Sequence, residues 1–91
     1  MDVDSSIIDV VRERLNKPWT LEEIESGRLV HQYNYLQQEP FDRATALCKM
    51  LEVAGWDVRR DDDSLDGFVY VTPPIHWLGD ILKPTKDIEL A

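Results

Sequence analysis

Asp62, Ser64, Asp66 and Gly67 fall within DDDSLDG, residues 61–67, the densest run of acid in the chain. Side-chain oxygens at alternate positions, followed by glycine, are what a calcium-binding loop supplies. Such a loop also needs a bidentate glutamate at its twelfth position, which counted from Asp62 is Pro73. Proline has no carboxylate, so the strongest ligand is missing. The following FVYVT reads as a strand, not as the exiting helix of a calcium loop. Specific metal binding is therefore not expected. The run reads instead as a solvated hairpin tip, with Asp66-Gly67 as its turn, or as an acidic docking surface.

Other chemistry is sparse. Cys48 is the only cysteine, so there is no intramolecular disulfide and no Cys-rich zinc site. A Cys–His pair would need Cys48 beside His31 or His76. Cys48 falls instead on an apolar helical stripe, where a free thiol behaves as a small hydrophobe. The chain has no glycine-rich phosphate loop and no G-x-S-x-G. Neither an enzyme nor a cofactor is expected.

The 91 residues carry a net charge of −8. By segment the charge is −1 over 1–20, −3 over 21–40, +1 over 41–60 and −5 over 61–91. A negative field repels phosphate backbones and favours basic partners. The apolar fraction of 43% fits a folded chain. Its length fits one small domain spanning 1–91. Such a domain buries only about 60 to 65% of its unfolded surface, so a partner or second copy could add to its stability. The start, MDVDSSIIDVVRERL, lacks the apolar core of a signal peptide, and no apolar run is long enough to span a membrane. A cytoplasmic location is expected.

The elements that would position these residues follow from local pattern. Ser6 and Asp9 have capping-box spacing, and Ile7, Val11 and Leu15 line one face of a helix ending near Asn16. In PWTLEEIESG, Thr20 and Glu23 form a capping box, and Trp19 with Ile24 a hydrophobic staple. Glu22, Glu23 and Glu25 suit the positive end of that helix, and Gly27 can end it. In RLVHQYNYLQQEP, Leu29, Tyr33 and Leu36 fit a helical stripe. Val30 and Leu36 break strand alternation, so helix is the better match. Pro40 reads as a stop, and Asp42 as the cap of a third helix running through Ala54. Its stripe is Ala44, Leu47, Cys48, Leu51 and Ala54, and Gly55 ends it. WDVRR and FVYVT then read as two strands. After Pro73-Pro74, IHWLGDIL reads as a short helix or docked tail, and 83–91 as loose. The predicted fold class is α+β: about three helices packed with a C-terminal antiparallel β-hairpin.

Three helices followed by a hairpin is the order of a winged-helix domain. The stretch LCKMLEVAGWDVRRDDDSLDGFVYVT, about a third of the chain, resembles the end of that fold, a recognition helix followed by its wing. The resemblance implies DNA binding through Arg43, Lys49, Arg59 and Arg60. A wing that meets phosphates should carry lysine or arginine, whereas this tip is DDDSLD. Direct nucleic-acid binding is thus not expected, and a protein-binding variant is.

The leading expectation is a small, acidic, non-enzymatic interaction module. In its sharper form it is an inhibitor occupying the basic, nucleic-acid-binding surface of a target protein. Phage-encoded anti-defence proteins, such as anti-CRISPR proteins, offer an analogy in size and charge alone. Asp61, Asp62, Asp63 and Asp66 are its predicted contacts, with Glu22, Glu23 and Glu25. Ile75, Trp77, Leu78 and Ile81 are a candidate apolar patch for a partner or for a homodimer. The alternatives are a winged-helix-like transcriptional regulator and a homodimeric structural subunit.

Overall fold

A computed structural model describes residues 5–74. The elements are α1 (Ser5–Asn16), α2 (Leu21–Ser26), β1 (Arg28–Asn34), α3 (Gln38–Val53), β2 (Asp57–Asp62) and β3 (Asp66–Thr72). The class is α+β. The predicted terminal helix, the loose tail 83–91, and the patch Ile75, Trp77, Leu78 and Ile81 lie outside the described residues.

Several helix ends formed by local chemistry fall where the pattern places them, although Ser6, expected as a cap, lies inside α1. α1 ends at Asn16. Thr20 Oγ1 accepts from the Glu23 N–H at 3.1 Å, and Glu23 Oε1 accepts from the Thr20 N–H at 3.2 Å, a complete capping box. Thr20→Ala is expected to cost about 1 kcal/mol, read as a lower urea midpoint at unchanged slope. α3 closes through a Schellman motif. The Trp56 N–H reaches back to the Leu51 carbonyl and the Gly55 N–H to that of Glu52, both at 3.0 Å. Gly55 sits at φ +100°, which an L side chain rarely adopts.

The segment after Gly27 departs from the helical expectation. Arg28–Asn34 is strand β1, paired antiparallel with β3. The register slips between Leu29 and His31, leaving Val30 as the extra residue of a bulge. That insertion is why alternation fails in the sequence: Val30 and Tyr33 are both buried, with two residues between them. An Asn34–Gln37 turn then leads directly into α3, with Asn34 Oδ1 accepting from the Leu36 N–H. Pro40 therefore does not stop a helix. It occupies the first turn of α3, where the missing N–H would have had no helical partner. Asp42, predicted as the cap, lies inside the helix and accepts from Gln38 Nε2.

The sheet order is β1-β3-β2, with β3 central. The predicted two-stranded hairpin is thus part of a three-stranded sheet. With β1 between α2 and α3, the helices are not consecutive, and the chain does not follow the expected order of three helices and then a hairpin. One sheet face presents Val69 and Val71 of β3 with Val30 and Tyr33 of β1. Val11 and Leu15 of α1, and Ala44, Leu47, Cys48 and Leu51 of α3, close over it, with Trp19 and Trp56 completing the core. The two tryptophan rings meet at 5.6 Å. None of the described helices is long and apolar enough to cross a membrane.

Gly67 is not a turn residue. It lies within β3, opposite Tyr33 on one side and Asp62 on the other, and is buried. A Cβ built on it would fall inside the Tyr33 ring. The ring covers the glycine, a known way to fill the space a strand glycine leaves.

Candidate functional site

The register decides which acids meet. Arg28 pairs with Val71 at one end of the sheet, and Asn34 with Asp66 at the other. At the ~3.4 Å rise of an antiparallel strand, the two ends are about 17 Å apart along β3. α2 precedes Arg28, so Glu22, Glu23 and Glu25 belong to the first end, and Asp61, Asp62, Asp63 and Asp66 to the second. The predicted acidic contacts therefore form two groups at opposite ends of the sheet.

Glu23 is engaged internally. Its carboxylate holds Arg28 through Oε1 at 2.7 Å and Oε2 at 2.5 Å and completes the α2 cap. The hydrogen bond from Arg28, more than any other influence, lowers its pKa from 4.5 to about 2. Glu22 and Glu25 remain exposed, and Glu25 shares a shallow cleft with Asp57 and Arg59.

At the other end the acidic loop is shorter than the sequence suggested. Asp61 and Asp62 belong to β2, Asp66 to β3, and Asp63–Leu65 alone form the turn. The Asp63 N–H donates to the Asp66 carbonyl at 2.8 Å, and Asp63 Oδ1 accepts from the Ser64 N–H at 2.8 Å. Asp61 lies 3.6 Å from Arg59, both largely exposed, a pair worth little in water. No three histidine, cysteine or acidic side chains among the described residues converge to hold a metal.

The same end carries apolar residues that the sequence reading did not bring together. The Tyr35 N–H donates to the Leu65 carbonyl at 3.0 Å, extending the β1–β3 ladder by one pair and joining the two turns. The bond brings the backbones of Tyr35 and Leu65 together, with Leu36 next along the chain, and the three are 37, 65 and 60% exposed. Tyr35 is held edge-on by Phe41 at 5.9 Å. Asp62, Asp63 and Asp66 lie within three residues of Leu65 along the chain. Leu65, standing alone within acid, and Leu36, breaking the polar face, were the available signals.

Of the predicted basic cluster, Arg60 and Arg43 are engaged within the fold, while Arg59 and Lys49 are exposed. Arg60 donates to the Tyr33 hydroxyl and to Thr45 Oγ1, both at 2.9 Å, and lies over Phe41. Arg43 pairs with Glu39 at 2.7 Å, and Arg59 lies over Tyr70 at 4.8 Å. Cys48 is buried, and burial pushes its thiol pKa up, against thiolate chemistry. His31 stacks on Tyr33 at 5.9 Å, its pKa lowered first by burial and then by Arg14 and Arg43. His76 lies outside the described residues.

Comparison of the chain with protein-family models, curated proteins and solved structures finds no match.

Proposed function

We propose that the protein is an interaction module that docks through the β2–β3 tip and the β1–α3 turn onto a basic surface of another protein. The observation that carries this reading is the bond that brings exposed Tyr35 and Leu65 together, with Leu36 next along the chain and Asp62, Asp63 and Asp66 within three residues of Leu65. The apolar residues supply contact area that excludes water. The aspartates select a basic partner and speed encounter with it. A target whose basic surface binds nucleic acid would be blocked by such docking, so inhibition of that binding is the function we assign. The engagement of Arg43 and Arg60 within the fold favours this over a DNA-binding regulator.

The test is capture of the partner from the native host with the wild-type chain, followed by titration of two variants. The triple variant Asp62→Lys, Asp63→Lys, Asp66→Lys should bind at least about tenfold more weakly and lose its dependence on salt. Leu65→Ser should weaken binding at unchanged salt dependence. Unaltered affinity of both variants would refute the assignment.

A further inference from the structure

A second surface lies away from the acidic tip. α1 and β1 flank a cleft of about 380 Å³, lined by Ile7, Val10 and Arg14 from the helix and by Leu29, His31 and Gln32 from the strand. Among the described residues β1 is an edge strand, with β3 on one side. Because Tyr35 is hydrogen-bonded to Leu65, the antiparallel alternation turns the Gln32 N–H and C=O away from β3, toward the free edge. Arg14 Nη1 donates to the Val30 carbonyl at 3.0 Å, which fixes its guanidinium beside that edge. No acidic group among the described residues forms an ion pair with Arg14. The positive charge of Arg14 and Arg43 reaches His31. Arg14 is the one charged side chain in the lining of this cleft. Val10 and Leu29, 45 and 37% exposed, give it apolar walls.

We propose that the cleft binds an extended segment of a partner protein as a further strand on β1. Its backbone pairs with Gln32, an acidic side chain meets Arg14 and His31, and aliphatic side chains lie against Ile7, Val10 and Leu29. Strand addition draws affinity from main-chain bonds and specificity from alternate side chains. The charge requirement selects a segment in which acidic and aliphatic residues alternate. A second copy paired through the same edge would oppose two clefts that each carry Arg14, so a partner strand is the favoured occupant.

The probe is a short, end-blocked peptide alternating glutamate with isoleucine, titrated into the isotope-labelled protein and followed by amide chemical shifts. The expected result is saturable shifts at His31, Gln32 and α1. A lysine-for-glutamate peptide should produce none. Arg14→Gln should weaken binding by about tenfold or more. Val10→Asp, at an exposed position that leaves the core intact, should abolish it. Absence of shifts at Gln32, or equal binding of the lysine peptide, would overturn the proposal. Concentration-dependent broadening at Gln32 without peptide would assign the edge to a second copy and overturn it as well.

Discussion

Arg28→Ala should destabilise the fold by about 3–5 kcal/mol, a large part of the ~5–15 kcal/mol available to a domain. The side chain is only 10% exposed and touches five residues. It grips Glu23 of α2 through two nitrogens. It donates to the carbonyls of Arg14, Lys17 and Pro18 at 2.6, 3.0 and 2.6 Å, and stacks on Trp19 at 4.0 Å. Carbonyls in the last turn of α1 have no helical partner, and a cation there also suits the helix dipole. Arg28 thus caps α1, fastens the connection to α2 and holds α2 to the start of β1. Removal leaves the Glu23 charge and the carbonyls without those donors. Guanidinium unfolding of the variant against the wild type measures the loss.

The same contact sets an acid limb of stability. Folding lowers the Glu23 pKa from 4.5 to about 2. A carboxylate whose pKa falls on folding contributes fully above pH 4.5 and progressively less as pH drops toward 2. Glu23 is 30% exposed, so its share is on the order of 1–2 kcal/mol after allowance for solvent screening. Glu23→Gln should lower stability at neutral pH and flatten this part of the pH profile.

Gly67→Ala is the second large effect, about 2–4 kcal/mol from a single methyl group. The new Cβ and the Tyr33 ring cannot occupy the same place. Tyr33 cannot move freely, because its hydroxyl is held by Arg60 and its ring meets His31 and Phe41. The cost should therefore depend on the tyrosine. Measured in a Tyr33→Ala background, Gly67→Ala should lose most of its effect, because the clash no longer exists. Equal cost in both backgrounds would place the strain elsewhere.

What could be read directly from residue order was chemistry between near neighbours. The Thr20–Glu23 box, the ends at Gly27 and Gly55 and the buried stripe through Cys48 each involve residues within a few positions of one another. β1 was hidden because its bulge at Val30 disguises the alternation and its pairing partner is remote in sequence. Pro40 misled because proline breaks a helix in its interior yet fits its first turn. Asp66-Gly67 resembled a turn because the Tyr33 ring that calls for glycine comes from another strand. For the candidate site, the exposed acids at residues 61–66 were visible in composition. Their separation from α2 was not, because register alone determines it. Tyr35 and Leu65, with Leu36 next along the chain, are brought together only through a hydrogen bond between two turns.

The position of β3 has a consequence for how the chain acquires its shape during synthesis. It is the last of the described strands in sequence, and both other strands pair with it and not with each other. On the ribosome, β1 can emerge with both edges unpaired and wait for Asp66–Thr72 to follow. α1 and α3 meanwhile lack the Val69 and Val71 side of their core. Helix formation can run ahead, but closure of the sheet must be a late event, dominated by contacts distant in sequence. A nascent chain halted before Asp66 should therefore remain sensitive to protease, and one extended beyond Pro74 and clear of the exit tunnel should become resistant.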